Sequence, residues 1–224
     1  MSESEERYQR VLSQIRHAAS IAGRPRESVN LLAVGKSKPS RDIANLYRLG
    51  QRHFGENYVQ EALSKQERLG AFDITWHFIG PIQSNKTKPI AEHFTWVHSV
   101  DRFKIAERLS QQRPDFLPPL NICLQVNISG EDSKSGVELD ELPELAAAVG
   151  QLPGLSLRGV MAVPAPEDNY HRQRQPYRRL REAVEQMHNI KLNTFSFGMS
   201  GDLKAAIMEG ATWVRVGSAL FGER

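Results

Sequence analysis

The chain has 224 residues, 40% of them hydrophobic and 25% charged, a globular composition that excludes disordered and fibrous architectures. Its 29 Lys and Arg against 26 Asp and Glu leave a formal charge of +3, and the basic residues are scattered, so no run marks a nucleic-acid surface. The lone cysteine, Cys123, excludes an internal disulfide and sits in the apolar run Ile122-Cys123-Leu124, which reads as a buried, inert thiol suited to a reducing compartment. Glu3, Glu5, Glu6, Arg7 and Arg10 occupy the region where a secretory signal needs an apolar core. No stretch approaches the roughly 18 apolar residues of a membrane span, so the expected location is the cytoplasm, with no membrane partner.

Tyr8, Val11, Leu12, Ile15, Ala18, Ala19 and Ala22 recur at helical spacing until Gly23 and Pro25 end the pattern, which predicts an amphipathic helix over 4–22. Residues 31–34 form a short apolar run of strand length, and Ile43, Leu46, Tyr47 and Leu49 make a helical pattern that ends at Gly50. Further strands are predicted at 53–54, 75–79, 96–100, 120–128, 155–163, 194–197 and 212–216. Helices are predicted between them near 57–68, 84–92, 102–112, 138–150, 169–188 and 202–209.

Eight strands alternating with helices imply a parallel α/β sheet with the helices outside. The strand count favours a closed (β/α)8 TIM-type barrel over an open doubly wound sheet, and neither GxGxxG nor GxxxxGK[ST] occurs. The sequence stops too soon after the eighth strand for a full outer helix, so the extra N-terminal helix is expected to fill that gap. The proline-rich stretch 113–119 is only a loop long, and 1–224 reads as one domain.

In such a barrel the loops at the C-terminal strand ends carry the chemistry. Leu32, Val34 and Lys36 share one strand face, so an inward Val34 sets an amine at the inner rim. Its ordinary pKa of about 10.4 would fall in apolar surroundings near Lys38, giving the neutral amine that Schiff-base formation needs. The alternative is a solvated lysine at a strand end. Phe197-Gly198-Met199-Ser200-Gly201-Asp202 opens a helix, where Ser200 either helps hold an anion or, with Asp202, caps that helix. Gly217 and Ser218 follow strand eight, the usual phosphate region of these barrels. Arg215 shares parity with Gly217 and needs an acceptor, either Glu56 or a ligand atom. Asn57 either caps the helix after Phe54-Gly55-Glu56 or offers its amide to a ligand. No HExxH, paired CxxC or GxSxG occurs, so no metal site is expected, and Trp76, Trp96 and Trp213 read as packing.

Leu32-Ala-Val-Gly-Lys36-Ser-Lys-Pro39, Phe54-Gly-Glu-Asn-Tyr58, Trp76-His-Phe-Ile-Gly-Pro81 with Gln83 and Asn85-Lys86, Gly159-Val-Met161, Ser196-Phe-Gly-Met-Ser-Gly-Asp202 and Val214-Arg-Val-Gly217 occur in that order. Together they resemble the YggS/PROSC family of pyridoxal phosphate (PLP) homeostasis proteins over almost the whole chain. The resemblance implies a barrel like the N-terminal domain of alanine racemases, with pyridoxal 5'-phosphate bound as a Schiff base on Lys36. It implies that Ser200 and the backbone of Gly217 and Ser218 hold the phosphate, that Arg215 faces the pyridine nitrogen, and that Asn57 lies near the 3-hydroxyl. Two departures stand out: Gly35 where relatives often carry Ser, and an end at Gly222-Glu-Arg224 where some continue into a basic tail.

A guanidinium donates to the pyridine nitrogen without yielding a proton, which leaves the ring a weaker electron sink. The expected function is therefore a reversible PLP carrier without strong turnover. It would bind PLP and related B6 vitamers as a monomer, with PLP-accepting apo-enzymes as transient partners. A low-activity PLP-dependent amino-acid racemase is the alternative, with Tyr58 or His77 as second acid, and a Schiff-base aldolase is a third. Lys134, in the loop after strand five, reads as a surface lysine or as a second amine near the mouth.

Overall fold

The structure is a computed structural model that describes residues 2–130 and 135–222. Helix α1 (Glu3–Ile21) precedes strand β1 (Asn30–Val34), and strands and helices then alternate: α2 (Ser40–Arg48), β2 (His53–Glu56), α3 (Val59–Arg68), β3 (Thr75–Phe78), α4 (Thr87–His93) after a short 3-10 turn, and β4 (Trp96–Val100). The order continues through α5 (Phe103–Gln112), β5 (Leu120–Gln125), α6 (Leu142–Val149), β6 (Leu155–Met161), α7 (Tyr170–Glu185), β7 (Thr194–Ser196), α8 (Leu203–Met208), β8 (Trp213–Val216) and a four-residue α9 (Ser218–Phe221). All eight strands are parallel and the sheet closes on itself, β8 pairing with β1 from Asn30↔Trp213 to Ala33↔Val216. The barrel expected from the alternation is therefore present. Among the described residues no helix is long and apolar enough to cross a membrane.

Alternation along each strand separates two interiors. Leu31 and Ala33 face outward into the layer under the helices, where Ile43 and Leu46 of α2 and Ile105 and Leu109 of α5 are also buried. Leu32 pairs in register with Arg215 on the other face, toward the barrel axis. Each fully buried Leu or Ile of the outer layer contributes about 1.5–3 kcal/mol. The loop 113–119 is a pinned connection, since Arg113 Nη1 donates to the carbonyls of Ala91 (2.7 Å) and Phe94 (2.8 Å).

The extra N-terminal helix occupies the place that the reading of the sequence gave it. Helix α1 buries Tyr8, Val11, Ile15, Ala18 and Ala19 and packs against α2, α8 and α9, covering the seam that the short α9 leaves open. Ser2 Oγ caps it by accepting from Glu5 N (3.2 Å). Beyond its end, Arg24 donates to the carbonyls of Ile207 (3.0 Å) and Ala211 (2.8 Å), fastening the helix to the last βα unit.

Candidate cofactor site

Four neighbouring strand ends carry the residues of interest, because closure sets β7, β8, β1 and β2 side by side. Lys36 lies in the turn directly after β1 and is half-buried. Gly35 N donates to Gly55 O (2.9 Å), Lys38 N turns back to Gly35 O (3.0 Å), and Ser37 adopts a left-handed φ of 61°. A non-glycine residue in that region is strained unless its surroundings hold it.

They do, through a buried ion network that the sequence reading missed. Lys65 Nζ donates to Gly35 O (2.6 Å), to Glu56 Oε1 (2.8 Å) and to Glu61 Oε1 (2.6 Å), and Glu61 Oε1 also accepts from Ser37 N (2.6 Å). The backbone on both sides of Lys36 is thus gripped by α3. The visible signal is Glu61 and Lys65 at an i,i+4 spacing, which by itself looks like an ordinary surface pair. Glu56 is fully buried, and desolvation, only partly offset by the hydrogen bond and charge of Lys65, raises its pKa to about 7. A β-carbon at Gly35 would stand 2.7 Å from Glu56 Oε1, so this glycine sits directly against the carboxylate.

Arg215 is buried in the barrel, and the structure corrects the option of an ion pair with Glu56, which is engaged by Lys65. Its Nη1 donates to the carbonyl and to Oγ of Ser196 (2.8 Å to Oγ), and its Nη2 donates to Ala162 O (2.9 Å). Those bonds use three of the five N–H groups of a guanidinium. Among the described residues no carboxylate forms an ion pair with it. Burial lowers its pKa from the ordinary arginine value.

Asn57 follows β2, and the structure corrects the capping alternative. Tyr58 is the N-cap residue of α3 and makes no side-chain capping bond. Asn57 Oδ1 is instead buried without a hydrogen-bond partner, an unusual state for an amide oxygen.

The turn after β7 is held by its aspartate. Asp202 makes no cap bond to α8; its Oδ1 accepts from Met199 N (2.7 Å) and its Oδ2 from the hydroxyl of buried Tyr177 (2.6 Å). Gly198 has φ 89°, and a β-carbon there would lie 2.5 Å from that of Ala206, so only glycine fits. Ser200 is exposed on this turn. Gly217 packs against Val34, the last residue of β1, and Ser218 is exposed at the start of α9. Lys36, Asn57, Ser200, Gly217 and Ser218 thus come from four adjacent strand ends, with Arg215 inside the barrel among them.

The other residues singled out in the sequence lie elsewhere. Tyr58 is 57% exposed, His77 is fully buried, and Lys134 lies outside the described residues. Trp96 and Trp213 pack their rings against His77 in the interior, while Trp76 packs outside beside Phe54. Cys123 is fully buried, and desolvation pushes its thiol up to about 12.

The donor set matches the groups of a phosphorylated pyridine aldehyde: an amine on a held turn, uncommitted guanidinium N–H groups, an orphaned amide oxygen able to accept from a ring hydroxyl, and hydroxyls beside glycine turns. Comparison with known proteins agrees with that chemistry. The alanine racemase N-terminal domain family matches residues 8–224. A pyridoxal phosphate homeostasis protein of Pseudomonas aeruginosa is 58% identical over 224 residues, covering 100% of this chain and 97% of its own. The structure of PipY from Synechococcus elongatus with PLP bound superposes with a TM-score of 0.81 at 38% identity, over 93% of this chain and 100% of PipY. An alanine racemase of Clostridium difficile shares the fold, with a TM-score of 0.69 at 13% identity, over 95% of this chain and 56% of the racemase. The chain belongs to the pyridoxal phosphate homeostasis protein family, built on the alanine racemase N-terminal domain.

Proposed function

We propose that this protein binds pyridoxal 5'-phosphate covalently and reversibly through Lys36 and serves PLP homeostasis as a carrier, without strong turnover. The observation that carries the reading is Arg215: a buried, donor-only cation with no ion-pair partner among the described residues and two N–H groups beyond its three protein bonds. Bound PLP supplies an aldehyde for attachment and a pyridine ring able to withdraw electrons. The protein's part is to hold the amine of Lys36 on its clamped turn, to accept the ring hydroxyl at Asn57 Oδ1, and to receive the phosphate at Ser200 and the backbone of Gly217 and Ser218. Arg215 donates to the ring nitrogen and keeps it unprotonated, which weakens the ring as an electron sink.

One further observation supports a carrier: the candidate second acids are badly placed, Tyr58 being 57% exposed and His77 sealed in the core. In this reading the barrel acts as a single cytoplasmic domain and a monomer, hands PLP to apo-enzymes by transient contact, also accepts related B6 vitamers, and binds neither nucleic acid nor membrane.

The test is spectroscopic. Lys36→Ala abolishes the visible absorption of the PLP-loaded protein and any borohydride-stable adduct. A mutant that keeps the band moves the attachment elsewhere. Sustained α-hydrogen exchange of single-enantiomer amino acids in deuterated water, faster than with free PLP, would favour the racemase instead.

A further inference from the structure

A column of hydrogen bonds runs through the barrel interior and ends on Arg215. His53 Nδ1 lies 3.0 Å from His77 Nε2, His77 Nδ1 lies 2.9 Å from His98 Nε2, and His98 Nδ1 lies 2.8 Å from Ser196 Oγ. Ser196 Oγ in turn accepts from Arg215 Nη1 at 2.8 Å. His77, His98 and Ser196 are fully buried, whereas His53, at the start of β2, is half-exposed. Trp96 stacks on His77 at an interplanar angle of 9°, and Trp213 packs against both His77 and His53. Among the described residues no group of His, Cys, Asp or Glu is arranged to hold a metal ion; these imidazoles bond to one another in series.

The order of the atoms fixes the chemistry. Every link joins an Nδ1 to the next Nε2, so the column is continuous only when all three rings carry their proton on the same nitrogen. Arg215 can only donate, so Ser196 Oγ accepts from it, and among the described contacts of that buried hydroxyl only His98 Nδ1 can take its proton. His98 then donates from Nε2 to His77, and His77 from Nε2 to His53. All the bonds run away from the guanidinium, and their aligned dipoles face its charge where no carboxylate does. A doubly protonated ring would break the series by setting one donor against another. Consistent with neutral rings, burial and then the charge of Arg215 bring His98 down to about 3, and burial followed by its two neighbouring imidazoles holds His77 well below the usual range.

We propose that His98, His77 and His53 are positioning residues, a single-tautomer column that acts through Ser196 to fix the Arg215 guanidinium in the orientation that meets the cofactor's ring nitrogen. The role of the column rests on the reading of Arg215 given above, but its tautomers are a property of the cofactor-free protein and are measured there.

Long-range proton–nitrogen spectra of the full chain labelled with 15N-histidine provide the test. At pH 7, with and without PLP, all three rings are expected to be neutral and protonated at Nε2. Ser196→Ala is expected to shift the Nδ1 resonance of His98 and to weaken PLP retention about ten- to a hundredfold, the effect of one lost hydrogen bond to a charged group. Its visible band should also become pH-dependent where the parent's is not. Mixed tautomers or an imidazolium among the three rings of the parent would overturn the column, as would a Ser196→Ala protein whose PLP affinity and spectrum match the parent. Should Lys36→Ala keep its visible band, the attachment reading fails while the tautomers of the unloaded protein still decide the column.

Discussion

Ionising Glu56 under the Lys36 turn is opposed by desolvation more strongly than Lys65 favours it, and the result is a carboxyl raised from 4.5 to about 7. The native protein therefore holds this proton between about pH 4.5 and 7, where an unfolded chain has released it. Protons bound in excess by the native state make stability fall as pH rises, so the stabilisation is complete below about pH 4.5 and lost by the time pH passes 7. The magnitude is on the order of 2–3 kcal/mol, reduced by the coupling to Lys65. Glu56→Gln has no proton to lose at this position. Because the buried histidines stabilise in the opposite direction, the urea unfolding free energy should rise more between pH 5 and pH 8 in the variant than in the parent; an equal rise would mean that the buried carboxyl is already ionised at pH 5.

Helix α1 shows what a single element adds, because it stands in for the outer helix that follows the last strand only as the four-residue α9. Ile15 on its inner face is 2% exposed. Ile15→Ala should lose about 2–4 kcal/mol and lower the melting temperature by about 4–16 °C, whereas Gln14→Ala on the exposed face should stay within about 0.5 kcal/mol. Thermal unfolding followed by circular dichroism checks both, and equal effects would show that the helix does not close the seam. At this scale the sequence was readable: periodicity placed the strands and helices, and strand parity put Arg215 on the inner face. It was less readable where a side chain's type suits two roles. Asn57 and Asp202 are good capping residues, yet Asn57 falls one residue before the N-cap of α3, and Asp202, at the N-cap of α8, turns its carboxylate back to Met199 N. The Lys65 clamp escaped for a related reason, since an i,i+4 pair on a helix does not reveal that one member reaches under the neighbouring strand end.

Residues far apart in sequence come together only when the barrel closes, and the histidine column is the case in which this matters for the whole molecule. His53, His77 and His98 are 24 and 21 residues apart, one to each of three consecutive strands, and nothing local distinguishes them from surface histidines. Their burial gives the protein an acid response opposite in sign to that of Glu56. Each has its pKa lowered by desolvation, His98 to about 3, so an unfolded chain takes up protons near pH 6.5 that the folded barrel refuses. Stability from this source is complete above about pH 6.5 and is lost as pH falls toward 3. Between pH 6 and 5 the three imidazoles outnumber the single carboxyl, and unfolding should take up roughly one to two protons net, each worth about 1.4 kcal/mol per pH unit. The unfolding free energy of the parent should therefore decrease as pH drops through that interval, and more steeply in Glu56→Gln, which lacks the opposing group. A free energy that instead rises on acidification there, in parent and variant alike, would mean that the column is charged in the native state, because only rings protonated before unfolding leave no uptake to measure.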